Sequence, residues 1–552
     1  MGLEKFLKKT KGVTIHKQSG EDFDYSILRY PDTPLTDKEY GYCVADVLGL
    51  WQAITTLLKE DTLLTIPMTS TGYVRRDFRS SMKKMDDLAG YMSNSALDKE
   101  CYILCREASR GAISGSNHIW TNETLEDIDS EDIKSSYPFQ MMTKYFPSGK
   151  FLTMRASYGS DKWYRITNNM CCLITFSCEN LILKKWSAIP YISKAKCRAI
   201  EGAKCGNGKV YGAKRIGMVC TEIDFRIIEE QYHMENVVIH DFKCCDRAQL
   251  PYEFRVVLGD MFQIKTDLED GDPFDYGKYK NKINASFGMM LTDILHPEIE
   301  LIEDDEDCWH NNEVKDIIGE LKRYYGNKNS FLHYQHGVWV LAHGRDDLNT
   351  GMKIVGSDIV QTDTDSVKHH NNYREEFNSL NMSIIANAEN YDVKPYSIKN
   401  GHKHYLGIWE HEGKDGEFTY AKFRSLGAKK YCYIDSDGKL GVTVAGLNKT
   451  KGAKYLEQLG GIYYFRPGVV FPAEFSGRTT SYYNDLSEIQ TKDINGHSVT
   501  YGSNIAIENT EYTLGATGEW LLMVLDGEIS EHAFINNADG AFKNYLKECD
   551  WL

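Results

Sequence analysis

Asp363 and Asp365 lie two residues apart in the run Ile359-Val360-Gln361-Thr362-Asp363-Thr364-Asp365-Ser366-Val367, at what reads as a hairpin tip between two apolar runs. A third carboxylate, Asp132, opens Asp132-Ile133-Lys134-Ser135-Ser136-Tyr137-Pro138 at an expected strand end. Between them stands Lys280-Asn281-Lys282-Ile283-Asn284-Ala285-Ser286-Phe287-Gly288, in which Lys280, Asn284, Phe287 and Gly288 share one helix face. Carboxylate, lysine helix, carboxylate pair is an order that points to nucleotidyl transfer directed by a template. Joining a nucleotide to a 3′-hydroxyl needs one metal to lower the hydroxyl's pKa and a second to neutralise the triphosphate. Two such ions sit about 3.5–4 Å apart and need carboxylates to bridge them. Mg²⁺ suits a few carboxylates completed by water and phosphate oxygens. Asp132 and Asp365 are the natural bridging pair, with Asp363 assisting and the Ile133 carbonyl as an added oxygen. Lys280 would grip the triphosphate, its helix face would line the nucleotide pocket, and Gly288 would let a base or backbone come close. A Tyr137 ring under the sugar would clash with a ribose 2′-hydroxyl and select deoxynucleotides. Singly, these features also read as an acidic turn, an amphipathic surface helix and a core tyrosine; their order favours the catalytic reading.

The elements that must position these residues follow from periodicity. Apolar residues at helical spacing predict a helix through Tyr42, Asp46, Leu50 and Ile54 that ends before Pro67. Further helices are expected over 72–93 and near 98–107, then alternating strands over 127–190 with a helix-like stretch after Tyr137. The glycine-rich patch at 202–213 suggests a long hairpin or loop. Thr221 or Asp224 can cap a helix over 221–232, and 274–290 reads as another helix. The acidic stretch 298–307 reads as a solvated loop. Residues 333–342 read as helix or strand, 356–362 as a strand and 366–370 as its return, before a strand-rich C-terminal third. The class is mixed α+β.

The bulk numbers agree with a globular chain of several domains: 552 residues, 42% hydrophobic and 26% charged. No apolar run is long enough to span a membrane, and the N-terminus lacks a signal peptide's apolar core, so no membrane partner and a cytoplasmic setting are expected. The net charge of −15 argues against a protein that grips nucleic acid everywhere, but not against a local basic groove. Fourteen cysteines without a CxxC pair suit free thiols in a reducing compartment rather than a zinc site.

The motifs resemble those of family B DNA polymerases. Asp132 to Pro138 is similar to motif A (DxxSLYP), Lys280 to Gly288 to motif B (KxxxNSxYG), and Thr362 to Ser366 to motif C (YxDTDS). Ala428-Lys429-Lys430-Tyr431 resembles the KxY motif, which implies that Lys429 and Tyr431 contact the primer end. Ser109-Arg110-Gly111-Ala112 resembles the YxG(G/A) linker without its tyrosine, and implies primer–template contacts for Arg110 and Gly111. Within the family the resemblance runs to the protein-primed polymerases of tailed phages. It implies a right-hand fold of palm with antiparallel sheet, fingers and thumb, two insertions and a partial RNase H-like exonuclease remnant. The expected division is 1–60 exonuclease remnant, 61–143 linker and first part of palm, 144–250 terminal-protein-region-like insertion, 251–290 fingers, 291–332 strand-displacement insertion, 333–485 second part of palm and 486–552 thumb. Val338 to Ala342 and Val442 to Gly446 look like palm strands. The resemblance further implies two Mg²⁺ ions, for which Mn²⁺ can substitute, together with primer–template DNA and deoxynucleoside triphosphates.

Several positions depart from the family pattern. Ser136, Ala285 and Phe287 replace leucine, serine and tyrosine, and Gln361 stands where motif C has an apolar or aromatic lead-in. These changes leave the carboxylates intact and bear on fidelity and primer grip. At the front, Tyr42 and Asp46 resemble only the third exonuclease motif, YxxxD. The sole DxE before Asp46, Asp37-Lys38-Glu39, reads as a polar turn. Two readings of this remnant stay open: half of a proofreading site completed by a separately encoded exonuclease subunit, or a structural helix. Priming by a terminal protein or by nucleic acid is also open. The alternatives for the whole chain are one subunit of a split polymerase–exonuclease, or a catalytically inactive replication scaffold.

Overall fold

The computed structural model describes residues 3–8, 10, 12–16, 33–59, 61–206, 208–271, 273–301, 309–312, 314–414, 417–483, 489–492, 498–501 and 505–515. The chain divides into two compact units, residues 1–73 with 477–510, and residues 74–476 with 511–552.

In the smaller unit, helix Asp37–Leu57 starts at a capping box in which the Thr36 side chain accepts from Glu39 N and the Glu39 side chain answers to Thr36 N. Asp37-Lys38-Glu39 is therefore the first turn of a helix, not a polar turn before it. Ala45, Gly49 and Ala53 recur at helical spacing on its buried face, and the small Gly49 admits Leu7 of helix Leu3–Lys8. Strand Arg478–Tyr483 pairs with Ile505–Thr510 in the same unit. Of the expected thumb, residues 516–552 lie outside the described residues.

The larger unit holds the strands labelled here in chain order. They are β1 Ser114–Ser116, β2 Thr124–Ile133, β3 Phe146–Thr153, β4 Cys171–Leu183, β5 Cys197–Glu201, β6 Lys204–Gly206, β7 Lys209–Thr221, β8 Tyr232–Ala248, β9 Glu298–Leu301, β10 Trp309–Asn312, β11 Ile359–Asp363, β12 Ser366–His369, β13 Tyr396–Lys399, β14 His402–Tyr405, β15 Trp409–His411, β16 Tyr420–Gly427, β17 Lys430–Asp435 and β18 Leu440–Val444. The first sheet runs β1-β11-β12-β2-β16-β17-β18, with β15 also on β2, and every pairing is antiparallel. The second runs β3-β8-β4-β7-β5, with β6 on β7.

Helix Tyr334–Val355 packs against both the helix that follows Asp132 and the second sheet's helix Glu222–Gln231. Its buried Arg345 donates to Asp224 Oδ1 at 2.7 Å, to the Tyr191 hydroxyl at 3.0 Å and to the Arg110 carbonyl at 2.6 Å. That guanidinium ties the 109–112 linker to the second sheet. A buried ion pair with this many partners is costly to break from one side, by about 3–5 kcal/mol. Thr221 and Asp224 form the expected capping box of helix Glu222–Gln231.

Several elements differ from the sequence expectation. Val338 to Ala342 is not a strand but the buried middle of helix Tyr334–Val355. A continuous apolar run buried on all sides has no period to distinguish helix from strand. The helix expected over 72–93 is two, Ser70–Met82 and Leu88–Asn94, the second capped by Asp87. Asp161–Asn169, within the stretch read as strands, is a helix capped by Ser160. The acidic stretch begins as a strand, β9, paired with β10; residues 302–308 lie outside the described residues.

Candidate active site

The three aspartates converge through strand pairing. Asp132 is the penultimate residue of β2, and its register partner on β12 is Ser366, next to Asp365. Ile133 N donates to the Asp365 carbonyl at 2.9 Å, so motif A is bonded to motif C. The hairpin tip between β11 and β12 turns through Thr364, whose φ is 69°, with Asp365 N donating to the Asp363 carbonyl at 2.8 Å. On the other side Lys134 N donates to Ile408 O, and Glu410 stands opposite Asp132 on β15.

The electrostatics separate the three. Burial pushes the Asp132 carboxyl up to about 8, helped by Asp365 and Glu412, with Lys368 acting against it. Burial and the Asp363 charge push Asp365 up to about 6. Asp363 Oδ1 accepts from Ser114 at 3.2 Å and Thr364 at 3.3 Å and lies 3.8 Å from Lys429 Nζ. Two half-buried carboxylates that repel each other form a set of hard oxygen donors short of positive charge, which fits a divalent cation such as Mg²⁺ or Mn²⁺. Among the described residues no three His, Cys, Asp or Glu side chains close around a metal.

Motifs A and B meet at an aromatic pair. The Tyr137 and Phe287 rings stack with centroids 4.1 Å apart and planes at 26°, and Gly344 lies against the Tyr137 ring, where an added Cβ would come within 3.1 Å of it. Lys280, Asn284 and Gly288 form the exposed face of helix Pro273–Gly288. Lys265 is the neighbour that the sequence reading missed: burial, Lys134 and then Lys280 together hold its ammonium below the usual range. Lys134 in turn pairs with Glu410, the register partner of Asp132, at 2.6 Å.

The KxY residues sit on the same sheet. Lys429, more than half exposed, leads into β17 and faces Asp363. Tyr431 is buried, with its ring stacked on Phe423 and Lys368 Nζ 5.6 Å from its centroid. Gly111 is exposed, and its carbonyl accepts from Arg345. Arg110 does not reach a surface: it is 7% exposed and its Nη2 donates to the Val219 carbonyl. An arginine turned into the second sheet fixes the linker and presents no charge to a ligand. Tyr42 and Asp46 lie one turn apart, half-buried, on helix Asp37–Leu57 of the other unit.

Two further residues of the site escaped the sequence reading. Glu412 accepts a hydrogen bond from Ser130 Oγ, and Lys368 is 2% exposed with its Nζ 3.0 Å from Ser366 Oγ. Neither belongs to a spaced motif; only the pairing of β15 and β12 with β2 brings them in. Lys368 had one local signal, an alternation with Ser366 that puts both on one face.

The model of the family "DNA polymerase type B, organellar and viral" matches residues 14–325, more than half of the chain. Similar curated proteins are the DNA polymerases of Bacillus phages. That of phage B103 is 26% identical over 42% of this chain and 38% of its own length; that of phage Nf is 23% identical over 76% of this chain and 64% of its own. The chain thus spans less than two thirds of either relative. Solved structures of Phi29 DNA polymerase share the fold. The complex with primer-template DNA and incoming nucleotide substrates superposes with a TM-score of 0.62 at 16% identity over 92% of this chain and 78% of that one; the complex with single-stranded DNA gives 0.64 at 16% identity over 93% and 78%. The fold is the α+β fold of that polymerase, and the chain belongs to the type B DNA polymerases of the organellar and viral kind.

Proposed function

We propose that this chain is a DNA-directed DNA polymerase that adds deoxynucleotides to a primer 3′-hydroxyl at the Asp132–Asp365 site. The observation that carries the reading is the hydrogen-bonded junction of motif A with motif C, Ile133 N to Asp365 O, which brings two carboxylates of raised pKa together where β2 ends and β12 begins.

Asp132 and Asp365, with the Ile133 carbonyl, would hold the divalent cations, and Asp363, already engaged by Ser114 and Lys429, assists. Cations bound there supply charge neutralisation at the triphosphate and acidify the primer hydroxyl. Lys280, joined by Lys265 and Lys134, draws in and orients the triphosphate, leaving its α-phosphate open to in-line attack. The base and sugar rest against the Lys280–Asn284–Gly288 face and the Tyr137–Phe287 pair, whose stacked rings leave little room for a 2′-hydroxyl. Lys429 and Tyr431 hold the primer end, and Gly111 marks the linker along which template runs.

We assign the second sheet, β3 to β8, to the insertion that would meet a priming protein, and β9–β10 to the strand-displacement insertion. Tyr42 and Asp46 would complete a proofreading site with a separately encoded subunit. The same division takes 251–290, with helices Tyr252–Asp267 and Pro273–Gly288, as fingers, and host cytoplasm as the setting.

Primer extension with a labelled oligonucleotide tests the activity. Asp132→Asn and Asp365→Asn should each lower incorporation by about a thousandfold or more, and Asp363→Asn by less. If wild type and Asp365→Asn extend equally poorly, the inactive-scaffold alternative replaces this reading.

A further inference from the structure

Behind the aspartate row lies a second row of polar residues on the same sheet face. Opposed residues of antiparallel strands share a face. The first row runs Ser114, Asp363, Ser366, Asp132 and Glu410 across β1, β11, β12, β2 and β15. Two residues further along the same strands, the second row runs Ser116, Gln361, Lys368 and Ser130. This row is buried: Ser116 is 8% exposed, Lys368 2%, and Gln361 and Ser130 are fully covered. Glu412 closes the row through Ser130 Oγ.

Burying a lysine is expensive unless its charge is answered. Lys368 makes one side-chain hydrogen bond, to Ser366 Oγ, and has the Tyr431 ring as a cation–π neighbour. Burial pulls its ammonium below the usual range, and four carboxylates, Glu412, Asp363, Asp132 and Asp365, act against that pull. Beside it, Gln361 has neither amide atom hydrogen-bonded, and the Ser116 hydroxyl is likewise unpaired. Gln361 and Lys368, the long side chains of this row, are direct register partners. An apolar residue at 361 would bring hydrocarbon against the ammonium; the amide keeps that space polar. The pair reads as one device, a fixed cation in a polar seat behind the carboxylates.

We propose that Lys368 is a positioning residue of the carboxylate site: its buried ammonium, set behind Asp132, Asp363 and Asp365, offsets their charge before a cation arrives and so opposes cation binding, with Gln361 as the polar floor that allows the charge. Lys368 touches no substrate; it acts through the aspartates. The inference rests on the reading that these aspartates hold a divalent cation.

The experiment is Mn²⁺ titration of the full chain without DNA or nucleotide, followed by the electron paramagnetic resonance signal of free Mn²⁺. Wild type, Lys368→Met, Lys368→Gln, Lys368→Arg and Asp365→Asn are compared, with near-ultraviolet circular dichroism as the check of folding. Lys368→Gln keeps a partner for Ser366 and removes only the charge, so it carries the test where Lys368→Met does not fold. Removing the charge should tighten Mn²⁺ binding about tenfold, the scale of one through-protein Coulomb interaction, while Lys368→Arg should bind as wild type does. A purely structural lysine would leave binding unchanged or weaken it. Unchanged or weaker binding in folded Lys368→Gln, with binding still lost in Asp365→Asn, overturns the inference and leaves the cation site standing. If Asp365→Asn binds Mn²⁺ as wild type does, the cation site itself is wrong and the inference falls with it.

Discussion

Tyr137 and Phe287 show how a residue's role depends on what holds it. Tyr137 follows a left-handed Ser135, φ 51°, which opens helix Ser136–Thr143. Its ring is fixed between the Phe287 ring and Gly344. Stacked pairs of this kind contribute about 0.5–1.5 kcal/mol beyond area burial, and on the proposed reading the fixed ring would set the floor under the sugar. Tyr137→Val should therefore relax discrimination against ribonucleotides by about a hundredfold while incorporation of deoxynucleotides falls far less. Phe287→Ala should relax it in the same direction by freeing the tyrosine. Single-nucleotide incorporation of dCTP against CTP measures both, and unchanged ratios in Tyr137→Val would remove the tyrosine from sugar selection. The replacement of the motif B tyrosine by Phe287 costs the pocket a hydroxyl but keeps the stack.

At the scale of elements, helix Tyr334–Val355 carries much of the larger unit, and it is where sequence and structure part. That Asp132 meets the Asp363–Asp365 turn was legible because carboxylates at a strand end and a hairpin tip stand out by residue type and spacing. The 221–232 helix was legible because Thr221 and Asp224 advertise its start. Val338 to Ala342 was not, because a helix buried between layers loses the polar face that reveals its period. Glu412 and Lys368 were not, because their role arises only from register. The same burial gives this helix a pH signature. His336 is 5% exposed, and its Nε2 lies 3.0 Å from the Pro147 carbonyl, to which a neutral ring donates. Burial lowers its pKa from 6.5 to about 4. The folded state thus binds fewer protons than the unfolded one between those values. Stability is present in full above pH 6.5 and is lost as pH falls toward 4. From pH 7 to pH 5 this residue should remove about 2 kcal/mol. His336→Gln retains a donor for Pro147 without the titration. Urea unfolding at the two pH values should show wild type losing about 2 kcal/mol more than His336→Gln; equal losses would mean that the imidazole is not the titrating group.

At the scale of the whole molecule, the puzzle is how a chain of net charge −15 would hold the polyanion that the proposed reaction requires. The positive charge is not spread evenly. Between Lys194 and Arg215 the sequence holds seven Lys and Arg against one Glu. The fold gathers them on β5, β6, β7 and their connections, at one edge of the second sheet. Lys194, Lys196, Lys214 and Arg215 are exposed, and Arg198 pairs with Glu107. This edge adjoins the strand flanking Asp363: Tyr211 of β7 meets His118, just past β1, edge to face at 4.6 Å. Duplex leaving the aspartates along β1 would pass this edge, and phosphates there would release their counterions to these side chains. Each phosphate neutralised adds about 0.9 to the slope of log affinity against log salt for duplex DNA. Lys196→Gln, Lys214→Gln and Arg215→Gln combined should therefore flatten that slope by about two to three units, measured by fluorescence anisotropy on a labelled primer–template across a salt series. The aspartates are untouched in this variant, so extension at low salt and saturating DNA should persist. A slope equal to that of wild type would mean that the duplex leaves on another side, and that the basic edge serves an acidic protein surface or solvent instead.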